Sequence, residues 1–278
     1  MNLLINWPPR GLNNISMPTN HTSKKWIDYF TVNATCKRIN WNLRPSITEQ
    51  QVATILASLQ AWQLAETSDG KNLIRAATRH ALQIGDPDYV QAVRLFIKEE
   101  QKHGENLGRY LDAIGQKRIK KDWGDTLFRR VRHLNTSMES WTLAVLVVES
   151  TAQIFYQSLK DATDCGLLKE ICTDILIDEA RHIRFQKERM AIIFNRKTPF
   201  GKLIAREFYK LFFFAVSILV WVAHRRLFRA GGNSFTGYMK KMRHKRMKTI
   251  PAHASDQRGP QRAATQIVNF SPGWTRQP

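Results

Sequence analysis

Two segments of this chain pair a carboxylate with an imidazole at a spacing of three: Glu100-Gln101-Lys102-His103 and Glu179-Ala180-Arg181-His182. Residues three apart share one face of an α-helix, so each Glu and His can reach a common metal ion. With 11 Glu and 8 His in 278 residues, chance alone would give about 0.3 such motifs, so one would mean little. Two further carboxylates strengthen the pattern. Glu66 lies 34 residues before Glu100, and Glu149 lies 30 residues before Glu179. Each is expected mid-helix, on the element preceding its motif. Glu149 stands in Leu-Ala-Val-Leu-Val-Val-Glu149-Ser-Thr-Ala-Gln-Ile-Phe, where a buried charge is costly unless it is paired or bound to metal.

The elements that must position these residues are helical. No stretch alternates with period two, so the chain is expected to be all-α. Thr48 followed by Gln51 forms a capping-box pattern ahead of Ile55, Leu56, Leu59, Trp62 and Leu64, with the helix continuing past Gly70 to Leu82. Gly85-Asp86-Pro87 closes that helix and opens the next, Asp86 as N-cap and Pro87 at the first position. The second helix runs to Ile114, the third from about Ser137 to Thr163, and the fourth from there to about Phe194. A fifth covers Lys202 to Arg229 and stops at Gly231-Gly232. Short connections imply antiparallel neighbours. The expected organisation is an irregular N-terminal arm over 1–45, with Pro8, Pro9, Pro18 and Pro45, and a four-helix bundle over 46–196. One or more additional helices over 199–248, apolar then basic, and a disordered basic tail over 249–278 follow.

In order along the helices the acids and imidazoles read Glu, Glu-x-x-His, Glu, Glu-x-x-His. This resembles the ferritin-like di-iron carboxylate superfamily, over roughly residues 48–195. The resemblance implies an antiparallel four-helix bundle in which Glu66, Glu100 and His103 hold one metal and Glu149, Glu179 and His182 the other. Glu100 and Glu179 would bridge. Asp69, one turn after Glu66, is the alternative for the least certain ligand. Carboxylate oxygens with one imidazole per ion suit two iron ions, or manganese, or a mixed Mn/Fe pair.

Asp178-Glu179-Ala180-Arg181-His182 is similar to the D-E-x-R-H string of di-iron monooxygenases, with Glu99 in the corresponding place of the first motif. By that likeness Asp178 would accept the free ring N–H of His103, and Glu99 that of His182, fixing each imidazole tautomer. Arg181 would balance the negative charge. Gln153 and Tyr156, four and seven residues after Glu149, would share its face and could hydrogen-bond an oxygen species or a ligand carboxylate. Phe96, Leu107, Val145, Ile175 and Leu176 would wall the site. The chain lacks a rubrerythrin-type cysteine domain. Leu107 stands where ribonucleotide-reductase radical subunits would carry tyrosine, and Ile175 where di-iron arylamine oxygenases carry a further histidine. A stand-alone O2- or peroxide-activating oxidoreductase remains, re-reduced by an external ferredoxin or reductase.

Composition bounds the rest. Lys and Arg number 43 against 23 Asp and Glu, a net charge of +20. Residues 224–278 carry 12 of the basic residues and one acid, Asp256, a segment suited to RNA, acidic lipid headgroups or an acidic protein. Cys36, Cys165 and Cys172 include no C-x-x-C pair, which argues against a thiolate zinc site or a disulfide framework and fits a reducing cytoplasm. Leu211–Ala223 is apolar but only 13 residues long, whereas a span needs about 20. It is therefore expected to be buried or at a membrane surface. A homodimer is compatible with this composition. Two other readings stand beside the oxidoreductase: a tRNA-modifying di-iron hydroxylase, and a non-catalytic iron-binding or membrane-associated bundle. In a third, the acids and histidines only pair with one another. His80, His133, His224, His244 and His253 have no partner in spacing.

Overall fold

The computed structural model describes residues 23–124 and 137–250. Pro8, Pro9, Pro18, His133, His253 and the tail from residue 251 onward lie outside the described residues. Regular structure among the described residues is wholly helical: α1 (Lys24–Asn33), α2 (Glu49–Glu66), α3 (Lys71–Ile84), α4 (Asp88–Ala113), α5 (Met138–Asp161), α6 (Gly166–Asn195), α7 (Pro199–Ala230) and α8 (Phe235–Thr249). The chain divides into two compact units, the first comprising Met1–Ser46, Leu56–Trp141 and Cys165–Asp174 and the second Ile47–Ile55, Thr142–Asp164 and Ile175–Pro278.

In the first unit, part of the arm expected to be irregular is the helix α1. Its Trp26 and Phe30 are buried, and it packs along α4 with the Phe30 and Phe96 rings 6.4 Å apart. Ser23 Oγ donates to Asp86 Oδ2 at 2.8 Å, tying the start of α1 to the turn before α4. The expected continuation of α2 past Gly70 does not occur. The chain leaves the helix at Glu66 and re-enters it at Lys71, with Gly70 between them at φ +63°. A side chain there would be strained, and its Cβ would lie 2.4 Å from Ile97 Cδ1. Helix α4 starts at Asp88, just beyond Pro87. Its buried residues include Tyr89, Val93, Phe96, His103, Leu107 and Leu111, the spacing of three and four that makes one helical stripe. Glu100 falls in that stripe, so the apolar pattern carries the motif inward.

In the second unit the capping box is present. Gln51 N donates to Thr48 Oγ1 and Thr48 N to Gln51 Oε1, each at 3.2 Å. Helix α5 buries Leu143, Leu146, Val147, Phe155 and Leu159. Its hydroxyls satisfy themselves on the preceding turn, as in Thr151 Oγ1 to Val147 O at 2.8 Å. The Thr198 hydroxyl accepts from Gly201 N at 3.1 Å and Pro199 occupies the first turn of α7, which leaves helical geometry at His224 (φ −120°, ψ 19°). Helix α8 folds back onto α7. Trp221 stacks on Phe228 at 5.6 Å and 4°, and Phe228 meets Tyr238 at 4.8 Å.

Candidate metal centre

The first unit gathers Glu66, Glu100 and His103, whose ligand atoms lie within 4.8 Å of one another. Glu66 is the last residue of α2 rather than a mid-helix residue, and its Oε1 accepts from Trp62 Nε1 at 2.8 Å. His103 is fully buried. The next residue, Gly104, lets α4 approach the end of α2: a Cβ at this position would sit 2.9 Å from Thr67 Cγ2 and 3.1 Å from Glu66 Cβ. Gln63 Nε2 donates to Gly104 O at 3.3 Å across the same gap. Asp69, the alternative to Glu66, is not brought to this cluster. Its side chain is 61% exposed and pairs with Lys71 Nζ at 3.0 Å.

Glu99 points into a buried polar chain that starts on α1. Asn33 Nδ2 donates to a Glu99 carboxylate oxygen, and Asn33 Oδ1 accepts from Arg38 Nη1 at 2.7 Å. Arg38 in turn pairs with buried Asp174, which Lys102 also reaches at 3.6 Å. The motif Glu99-Glu100-Gln101-Lys102-His103 therefore has its polar neighbours fixed from a segment that its own sequence gives no reason to suspect. Nearby, burial raises the Tyr110 hydroxyl above the usual phenol range, with Cys165 and Cys172 adding to the effect.

The second unit gathers Glu149, Glu179 and His182, 3%, 0% and 0% exposed, with one ligand atom of each within 4.8 Å of the others. His182 Nδ1 lies 3.6 Å from Glu179 Oε2 and 3.8 Å from Glu149 Oε2. These separations exceed a hydrogen bond, about 2.7–3.2 Å. They fit atoms each about 2.0–2.2 Å from a shared ion. Asp178 is fully buried beside them, and Arg181 is half-buried. Tyr156 is fully buried and meets the Phe155 ring edge-on at 5.4 Å. Gln153 Oε1 accepts from Lys245 Nζ of α8, so this oxygen is engaged by the chain's own lysine. Burial first, and the Lys248 charge second, lower the Lys245 ammonium from its ordinary value.

Two residues in this unit were not singled out from the sequence. Arg189 is fully buried seven residues after His182, on the same helical face, a spacing that could have flagged it. Lys245 stands in a run of basic residues, but it also falls in register with buried Tyr238, Met242 and Thr249.

No protein-family model matches the chain, and no curated protein does. Among solved structures the chain is similar to a tyrosine-to-phenylalanine variant of an R2-like ligand-binding oxidase with an anaerobically reconstituted Mn/Fe cofactor. The two are 18% identical at a TM-score of 0.60, over 84% of this chain and 94% of that one. The same coverage holds for a valine-to-leucine variant (16%, TM-score 0.57) and a glutamate-to-aspartate variant (18%, TM-score 0.55), both with aerobically reconstituted Mn/Fe cofactors. These likenesses show the fold: a ferritin-like all-helical bundle extended by C-terminal helices.

Proposed function

We propose that this chain is a non-haem di-metal oxidoreductase of the O2- or peroxide-activating type, holding two iron ions or a mixed Mn/Fe pair. One observation carries the reading: each unit brings a glutamate and the Glu and His of an E-x-x-H motif within 4.8 Å of one another. Glu66, Glu100 and His103 would hold one ion and Glu149, Glu179 and His182 the other. Glu100 and Glu179, the first residue of each motif, would be shared. The chemistry of the donor set fits. Four carboxylates bring four negative charges to largely buried positions, and two divalent ions cancel them, where unpaired charges would be expensive. The solved neighbours with Mn/Fe cofactors support the choice of metals.

When bound, the metal pair supplies the electrons that reduce O2 or peroxide and the positive charge that stabilises the reduced oxygen. The chain's own residues do the rest. Trp62 holds one oxygen of Glu66 and so limits how that carboxylate can turn. Glu99 and Asp178 would accept the free ring N–H groups of the imidazoles, fixing their tautomers, and Asn33 donates to Glu99 and so limits its motion. The side chains of Phe96, Leu107 and Ile175 are buried next to the motifs and restrict water. An external ferredoxin or reductase would return electrons, its acidic surface matched to a chain of net charge +20.

The test is oxygen uptake. Protein loaded anaerobically with Fe(II) and then given air should consume O2 in the presence of a reductant, and Glu149→Ala should not. A chain that binds two irons yet consumes neither O2 nor peroxide would be a non-catalytic iron-binding bundle.

A further inference from the structure

Helix α7 is apolar on both of its faces, and among the described residues only one is buried. Ala205, Tyr209, Phe213, Ser217 and Trp221 recur every four residues and are buried. On the opposite side Phe200, Ile204, Phe208, Leu211, Phe214 and Val222 are 72%, 55%, 52%, 68%, 54% and 53% exposed among the described residues. They form a stripe of about 33 Å, at about 1.5 Å per residue. A helix that is apolar all round belongs inside a protein or against lipid, and an exposed patch of this kind marks a contact surface.

The charges around the stripe decide what covers it. Between Arg196 and Thr249 the only acid is Glu207, and it is paired with Lys210 at 2.6 Å. Arg196 stands exposed before the stripe, and Arg225, Arg226 and Arg229 stand exposed after it. Lys240 and Arg243 on α8, packed against α7, add further positive charge. A second copy docking through the same face would bring the same basic ends and, as its one acid there, Glu207, already paired with Lys210. An anionic lipid surface supplies both an acyl boundary for the aromatic stripe and phosphates for the arginines. No helix among the described residues is long and apolar enough to cross a membrane, so α7 would lie in the interface plane.

We infer that the outer face of α7 docks this protein on anionic membrane surfaces, with Phe208 and Phe214 inserted and the flanking arginines on headgroups. The inference does not depend on the metals. The experiment is vesicle flotation of the full chain with phosphatidylcholine vesicles containing phosphatidylglycerol, beside vesicles of phosphatidylcholine alone. A Phe208→Ser/Phe214→Ser double variant is run in parallel, with circular dichroism as its folding control. Both positions are exposed, so the variant should keep the wild-type spectrum.

The expected result is flotation with anionic vesicles only, weakened about tenfold or more in the double variant. Failure of the wild type to float would overturn the inference, as would equal flotation of wild type and variant, which would assign binding to basic residues alone. A dimer by light scattering that the double variant dissolves, without vesicle binding, would also overturn it and assign the stripe to a second copy.

Discussion

Replacing Gly104 with alanine tests how tightly the first ligand cluster is built. The added Cβ would meet Thr67 Cγ2 at 2.9 Å, Glu66 Cβ at 3.1 Å and the Glu66 carbonyl carbon at 3.2 Å. Ordinary carbon contacts lie at about 3.5–4.0 Å, so the end of α2 must retreat by about half an ångström. Two of the three contacts are to Glu66 itself, one of them backbone, and rotamer changes alone cannot absorb them. Overpacking of this kind costs about 1–3 kcal/mol, which at about 2–4 °C per kcal/mol lowers the apo melting temperature by about 2–12 °C. The displacement also moves a proposed ligand, so Gly104→Ala should bind the metal held by Glu66 more weakly while keeping the one held by Glu149. Thermal denaturation of apo protein and metal content after gel filtration read the two effects. A variant that melts and loads like wild type would refute the close approach of α4 to Glu66.

Three further outcomes follow from named contacts. Asn33→Ala removes the donor to buried Glu99 and the acceptor for Arg38. The loss should cost about 1.5–3 kcal/mol, the range for hydrogen bonds to charged groups, and a wild-type denaturation midpoint would contradict it. Arg118 holds the Glu105 and Asp112 carboxyls below their ordinary values through hydrogen bonds and charge. Its contribution should be present above the usual carboxylate range and vanish as pH falls through the lowered values. The stability gap between wild type and Arg118→Met, small because these groups are largely exposed, should close in acid and not widen. Lys245 is the opposite case, a lysine whose folded value is lowered. Between that value and the ordinary 10.5 the unfolded chain holds more protons, so rising pH should favour wild type relative to Lys245→Met. A pH-independent difference in urea denaturation would argue that Lys245 is not buried against Gln153.

Much of the clustering of the candidate ligands was legible because a repeated Glu-x-x-His at helical spacing constrains residue type and position together. The two E-x-x-H motifs and Glu149 sit on buried helical faces, and the Thr48–Gln51 box starts α2 as its residues require. The break after Glu66 was missed although Thr67-Ser-Asp-Gly70 is turn-forming. The apolar pattern resumes in phase beyond it, and hydrophobic periodicity does not register a short interruption. Helix α1 was missed because a ten-residue helix with Trp26 and Phe30 as its buried aromatic residues lies among Asn, Thr and Pro. It takes its stability from α4 rather than from its own propensity. The polar chain from Asn33 to Asp174 joins residues up to 136 positions apart, and no local spacing encodes it. Lys245 was hidden by its own neighbours, since a lysine among Arg243, Arg246 and Lys248 looks like solvated charge until α8 is placed.

Metal content per chain tests the central claim most directly. Protein reconstituted anaerobically with Fe(II), and separately with Mn(II), would be freed of excess metal and measured by mass spectrometry beside Glu149→Ala and His182→Ala. The account predicts about two ions per wild-type chain, with a loss in both variants. Little or no bound metal in the wild type at any loading would contradict it, and the buried glutamates and histidines would then be charge pairs in a helical core.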